Sequence, residues 1–123
     1  MQTMTNIHLK ICDYLGKAKE IDIDTLKNII AKHCGVEADV FTTKDRQREK
    51  LLPRYIFMKV MYKYSKLSLK QVGKLVGNRD HTTVINGLAQ LNNLMTYDYE
   101  RGVFREVMAE LKNRYTLKTH FKA

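Results

Sequence analysis

Two helix-start patterns separated by a glycine lie within one short segment, SLKQVGKLVGNRDHTTV, which begins at Ser68. Ser68 followed by Gln71 is a capping box, in which the hydroxyl accepts from the Gln71 backbone N–H and the Gln71 side chain reaches back. Gly77 suits the left-handed conformation that ends a helix, and Asn78 or Asp80 can cap the next helix. The segment therefore predicts two short helices joined by a tight turn, which is a helix-turn-helix.

Helical periodicity continues through most of the chain, which has one proline and six glycines. Ile7, Ile11 and Leu15 suggest a first helix that ends at Gly16, and Pro53 suits the first turn of a central helix. Apolar residues at helical spacing predict the buried faces of two further helices: Leu26, Ile29 and Ile30, and later Val103, Phe104, Val107, Met108 and Leu111. We predict an all-α fold, a compact helical domain of six or seven helices that contains the helix-turn-helix. Within a single domain at 1–123, we predict an N-terminal helical extension at 1–20, a core at 21–115 and a basic tail at 116–123.

The charge balance is strongly basic, with 22 Lys and Arg against 13 Asp and Glu and a net charge of +9. Such an excess favours a polyanionic partner, either nucleic acid or anionic lipid, although a soluble protein can also simply be basic. Cys12 and Cys34 are too few for a disulfide framework or a zinc site. Because the chain has no signal peptide and no apolar run of about 20 residues, we predict a cytoplasmic protein without membrane contact.

The start of the second helix carries side chains that can read DNA. Thr82 and Thr83 each offer a methyl for a thymine methyl and a hydroxyl for a base edge or phosphate. Asp80 can accept from a cytosine amino group, and His81 can donate to a base or phosphate. The alternative interpretation is that Asp80 only caps the helix and the threonines are ordinary first-turn residues.

Basic residues elsewhere can contact phosphates or a narrow minor groove. Arg46 and Arg48 lie in the apolar-free segment TTKDRQREK, which is predicted to be a loop. Arg54 lies at the start of the predicted central helix, Lys70 lies on the first short helix of the predicted helix-turn-helix, and Arg79 lies in its turn. The alternative is that these residues are solvated surface charges.

No catalytic pattern accompanies these residues. The phosphate-binding pattern GxxxxGK[ST] is absent, and adjacent His33 and Cys34 point about 100° apart on a helix, which makes a weak metal site. We therefore predict no enzyme activity, no cofactor, no metal and no bound nucleotide.

The segment GNRDHTTV closely resembles GGRDHTTV, the signature of the C-terminal DNA-binding domain of the bacterial chromosomal replication initiator DnaA. The likeness covers about residues 20 to 115. The segments that carry the rest of it are Asp22 to Ala31, Arg46-x-Arg48, Leu52-Pro53-Arg54 and SLKQVG at 68–73, where the family has SLPEIG. The resemblance implies an all-helical domain that binds double-stranded DNA.

The resemblance also implies roles for individual residues. It identifies four positions with the family's major-groove readers: Asp80, His81, Thr82 and Thr83. Arg46 corresponds to the family's minor-groove arginine. The positions that fall on or beside residues supporting the backbone or bases are Arg48, Arg54, Leu69 and Lys70.

Several positions depart from the family pattern. The family usually has His-Ala where this chain has Asn86-Gly87, and a basic pair where it has Ala89-Gln90. Tyr55 replaces a common glutamine. Losing two cations predicts weaker binding with a flatter salt dependence, by roughly two units of slope. The family's initiators also carry an upstream ATPase domain, for which we expect no room here.

These observations predict sequence-specific binding of double-stranded DNA through the helix-turn-helix, similar to replication-initiator box recognition, without ATPase. Such a protein could regulate replication or transcription. The alternative is a protein-interaction adaptor that keeps the fold but has lost specific DNA reading, so a protein partner is possible. RNA binding is a third interpretation.

Overall fold

The computed structural model describes residues 8–12, 18–44, 47–114 and 116–117. Within them, five α-helices form the body of the domain: α1 (Ile23–Cys34), α2 (Leu51–Tyr64), α3 (Leu69–Leu75), α4 (His81–Leu94) and α5 (Asp98–Arg114). Two short 3-10 turns, Ala38–Phe41 and Arg48–Lys50, lie between α1 and α2. The helical prediction is confirmed for this body, with five α-helices instead of the predicted six or seven.

The chain ends form a small antiparallel sheet of three strands, β1 (His8–Cys12), β2 (Ala18–Asp22) and β3 (Thr116–Leu117), in the order β2-β1-β3. His8 pairs with Asp22, and Ile11 pairs with Leu117. The all-α prediction is therefore corrected here, and the predicted N-terminal helix is wrong where the chain is described. The physical reason is that Ile7 to Ile11 also alternates apolar and polar residues, which suits a strand as well as the four-residue spacing suits a helix.

Helix α2 is the centre of the core. Its buried residues Ile56, Phe57, Val60 and Met61 pack with apolar side chains of the other helices. The Phe57 ring lies 5.4 Å from the Phe41 ring, which attaches the first 3-10 turn to α2. The predicted apolar faces of α1 and α5 are also buried, except that Phe104 is half-buried; the buried residues are Leu26, Ile29, Ile30, Val103, Val107, Met108 and Leu111. The apolar periodicity thus correctly identified the core.

The helix-turn-helix consists of α3, the turn at 76–80 and α4. The capping box is confirmed: Ser68 Oγ accepts from the Gln71 N–H at 3.2 Å, and the Ser68 N–H donates to Gln71 Oε1 at 2.9 Å. Gly77 has the predicted left-handed conformation, with φ of 80°, and Asn78 shares it with φ of 56°. Two consecutive left-handed residues turn the chain sharply enough to place α4 against α3.

Gly73 permits the close contact within this motif. The Arg79 N–H donates to the Gly73 carbonyl at 2.7 Å. A Cβ at Gly73 would lie only 2.1 Å from the Arg79 carbonyl oxygen, which belongs to the backbone and cannot rotate away. The turn can therefore approach α3 this closely only because residue 73 has no side chain.

Candidate nucleic-acid interface

The four predicted reading residues lie together at the start of α4. Asp80 caps the helix, because its Oδ1 accepts from the Thr83 N–H at 3.0 Å and from the Thr83 hydroxyl at 3.1 Å. The Thr83 N–H, followed by its hydroxyl, lowers the pKa of the Asp80 carboxyl. Asp80, His81, Thr82 and Thr83 are all exposed. The capping role of Asp80 is thus shown, and the first turn remains open to a ligand.

Ile85 adds an apolar side chain to the same surface. It is 48% exposed, although it lies on a helix whose Val84 and Leu91 are buried. Because Ile85 follows Thr82 by three residues, the two side chains are neighbours on the helix surface. Sequence reasoning missed Ile85, and the available signal was an apolar residue outside the buried stripe. An exposed isoleucine beside Thr82 suits contact with a thymine methyl.

Arg54 lies in the interior rather than on the surface. Its side chain is 3% exposed. Its Nε donates to the Val40 carbonyl at 2.7 Å, and its Nη2 donates to the carbonyl and hydroxyl of Thr43 at 3.1 and 2.9 Å. In this arrangement Arg54 joins α2 to the segment that leads into the basic loop.

Arg79 ties the same segment to the turn before α4. Its Nη2 donates to the Thr43 carbonyl at 2.8 Å, and its Nη1 donates to the Val76 carbonyl. Arg54 and Arg79 therefore both donate to the Thr43 carbonyl oxygen. This shared acceptor holds the beginning of the loop at a defined place relative to α4.

A cleft of about 540 Å³ lies between this loop stem, α2 and α4. Its lining residues include Lys44, Tyr55, Thr83 and Asn86. The cleft therefore connects the side chains of the helix start with the cationic loop, as one continuous surface that a duplex could cover.

The structure describes three of the remaining predicted residues. Arg48 is exposed in the second 3-10 turn, Lys70 is exposed at the start of α3, and Leu69 beside it is half-buried. Arg46 falls outside the described residues. A DNA contact by any of these residues stays a prediction.

Tyr55 and Gly87, two departures from the family pattern, lie next to each other. A Cβ at Gly87 would lie 2.5 Å from Met58 Sδ and 3.1 Å from Tyr55 Cδ1. Gly87 is buried, and Met58 is only 1% exposed. The larger residue at 55 is thus accommodated by the smaller residue at 87, which lets α4 lie close against α2.

This contact predicts an unusual result for Gly87→Ala. Alanine normally stabilises a helix interior by about 1 kcal/mol relative to glycine. Here the added methyl overlaps the side chains of Met58 and Tyr55, so we expect a net loss of roughly 1 kcal/mol in the free energy of unfolding. Urea unfolding, monitored by circular dichroism, measures this change in the free energy of unfolding.

The same substitution is also made in the Tyr55→Gln variant, which lacks the tyrosine ring that obstructs a Cβ at residue 87. In that background the loss caused by Gly87→Ala should shrink by about 0.5–1 kcal/mol. Strictly additive effects of the two substitutions would contradict direct packing of residue 87 against Tyr55.

Within the described part of the chain, no group of three or more His, Cys, Asp or Glu side chains could hold a metal ion. Burial raises the pKa of the Cys34 thiol to about 12, so this thiol is protonated at neutral pH. None of the described helices is both long enough and apolar enough to cross a membrane.

Comparison with known proteins shows which family this chain is similar to. The family model described as "Bacterial dnaA protein helix-turn-helix" matches residues 23–90, from the start of α1 into α4. The chromosomal replication initiator protein DnaA of Bacteroides thetaiotaomicron is 32% identical over 83 residues, covering 68% of this chain and 18% of the relative. The protein of the same name from Thermus thermophilus is 33% identical over 90 residues, covering 71% and 21%.

A third relative, the chromosomal replication initiator protein DnaA of Flavobacterium psychrophilum, is 26% identical over 99 residues, covering 80% of this chain and 20% of its own length. The chain thus spans about a fifth of the length of these relatives. The residues 23–90 that the family model matches include the capped start of α4 and both arginines that donate to the Thr43 carbonyl.

Proposed function

The chain belongs to the bacterial DnaA helix-turn-helix family, and from this membership we propose that it recognises a specific sequence in duplex DNA. The recognition element is the first turn of α4. The observation that carries the proposal is the exposed group Asp80, His81, Thr82 and Thr83, held at a capped helix start. A helix start of this kind fits the major groove and places its side chains against base edges.

Within this proposal, the loop after Thr43 contacts the adjacent minor groove or phosphates. Lys44 and Arg48 are exposed on the two described sides of the loop, and Arg46 lies between them in sequence. The bonds from Arg54 and Arg79 to the Thr43 carbonyl support the proposal because they position this loop relative to α4.

We propose a regulatory role in replication or transcription, in the cytoplasm, through DNA binding alone. The 123 residues contain no GxxxxGK[ST] segment, so the proposal includes no ATPase step. The relatives are named replication initiators, and an initiator-type box is therefore the first DNA target to test.

The test is fluorescence anisotropy with a duplex that carries an initiator-type box and with a scrambled duplex, at several salt concentrations. We expect the box to bind more than about tenfold tighter, which is roughly 1.4 kcal/mol. The double substitution Thr82→Ala, Thr83→Ala should reduce this preference to less than about threefold, because it removes two methyls and two hydroxyls from the reading surface.

The control for this variant is Asn92→Ala, Asn93→Ala, which alters two exposed residues farther along the same helix. It should keep the preference for the box. If the threonine variant retained full preference, the first turn of α4 would not be the reading element.

The adaptor remains a second candidate because α4, HTTVINGLAQLNNL, contains no lysine or arginine. A recognition helix without cations makes fewer phosphate contacts, which weakens binding at physiological salt. The adaptor predicts equal affinities for the two duplexes, both lost as salt rises, and the same anisotropy series therefore separates the candidates.

A further inference from the structure

A second surface lies between α2 and α5, where a groove of about 440 Å³ separates the two helices. None of its lining residues also lines the cleft beside α4. The groove is therefore spatially separate from the proposed DNA interface.

The floor of the groove is apolar. Tyr64 and Met108 are each 8% exposed, and Phe104 is half-buried at one side. Ala109 is exposed and leaves room above this floor because its side chain is a single methyl. The groove can thus accept an apolar side chain from outside the domain.

Both walls of the groove carry cations. Lys59 and Lys63 lie one turn apart on α2, and the Lys63 ammonium lies 5.5 Å from the centre of the Tyr64 ring. Arg105 and Lys112 lie on α5, about 10 Å apart along the helix axis. A segment lying in the groove would therefore meet positive charge on both sides.

These four cations have no carboxylate partner among the residues that the structure describes. Other cations do: Lys32 pairs with Glu110 at 2.9 Å, and Arg101 pairs with Asp98 at 2.5 Å. A concentration of unpaired cations around an apolar floor is complementary to a ligand that is both acidic and apolar.

We propose that this groove binds an acidic segment of a partner protein that inserts an apolar side chain between α2 and α5. An amphipathic helix with glutamates beside a leucine stripe satisfies both features of the groove. A DNA backbone would pair with the cations but would leave the apolar floor uncovered, so the floor favours a peptide. The partner could bind while α4 is engaged with DNA, because the two surfaces share no residue.

The probe is a fluorescein-labelled peptide of about 14 residues with leucines at helical spacing and glutamates elsewhere. A second peptide carries serine in place of every leucine, and a duplex of comparable length is the third probe. Anisotropy with the full 123-residue chain should give saturable binding of the leucine peptide. We expect the serine peptide to bind at least about tenfold more weakly, which is roughly 1.4 kcal/mol.

Three variants localise the binding. Arg105→Glu should weaken binding of the leucine peptide by about tenfold or more. Ala109→Arg should also weaken it, because the arginine side chain fills the groove, even though its charge favours an acidic peptide. Lys66→Glu, at an exposed lysine outside the groove, is the charge-matched control and should change affinity by less than about threefold. Circular dichroism checks that each variant is folded.

The proposal is overturned if the leucine peptide does not saturate or if both peptides bind equally. It is likewise overturned if Ala109→Arg strengthens peptide binding, because the surface would then act only through charge. Loss of duplex binding in Ala109→Arg, with peptide binding retained, would assign the groove to nucleic acid instead.

Discussion

Gly73→Ala is expected to destabilise the domain by about 3 kcal/mol or more and to abolish DNA binding at temperatures where the native protein binds. The new Cβ would lie 2.1 Å from the Arg79 carbonyl oxygen, so α3 and the turn must separate. Separation also breaks the bond from the Arg79 N–H to the Gly73 carbonyl. Overpacking of this kind typically costs 1–3 kcal/mol, and a backbone obstacle belongs at the upper end.

The matched control is Gly102→Ala in α5, where, apart from the neighbouring backbone of the helix itself, no atom lies within 4 Å of the position that a Cβ would take. Alanine there should raise the free energy of unfolding by about 1 kcal/mol through helix propensity alone. Thermal and urea unfolding measure both variants. Equal stability of Gly73→Ala and the native chain would mean that the turn does not lie as close to α3 as the structure shows.

The contrast between these two glycines illustrates what the sequence could and could not predict. Local patterns were sufficient for the capping box at Ser68 and the buried stripes of α1 and α5, because each depends on residues within one or two helical turns. They also limited the cap of α4 to Asn78 or Asp80, and the structure selects Asp80. The role of Gly73 depends on the path of the chain six residues later. A sequence pattern does not contain that path.

The chain ends show the same limit. Ile7 to Ile11 fits both a helical and an alternating pattern, and the choice is made by pairing of β1 with β2 and with β3 from the opposite end of the chain. β2 follows β1 closely in sequence, but a pairing partner as distant as β3 leaves no local signal. The groove between α2 and α5 is likewise a product of packing, since neither helix alone indicates that its cations will face an apolar floor.

Arg54 is the most instructive site residue, because the sequence suggested a surface contact with DNA. A charged residue at a helix start is usually exposed. The hydrogen-bond acceptors of Arg54 lie 14 and 11 residues earlier in the chain, where no local pattern indicates them. The structure instead assigns the guanidinium to the Val40 and Thr43 carbonyls. Whether DNA affinity depends on this residue through position or through direct contact can be decided by experiment.

We expect Arg54→Lys to lower the free energy of unfolding by about 3 kcal/mol, since hydrogen bonds to a charged group are each worth roughly 1.5–3 kcal/mol. A lysine ammonium keeps the charge but cannot place one donor on Val40 and another on Thr43, as the planar guanidinium does. The loop stem should then detach from α2, and affinity for the box duplex should fall about tenfold or more. Urea unfolding and anisotropy across salt concentrations measure the two effects.

The control is Arg48→Lys, at an exposed arginine on the same loop, which should leave the free energy of unfolding unchanged. If Arg54 contacted phosphate directly, lysine would preserve most of the interaction, and Arg54→Lys would resemble this control in both measurements. If Arg54 acts by position, stability and affinity fall together. The slope of log affinity against log salt should then also fall, because the cations of the detached loop lose their phosphate contacts. Native stability together with native affinity in Arg54→Lys would contradict the positioning role, because the lysine charge preserves a direct phosphate contact.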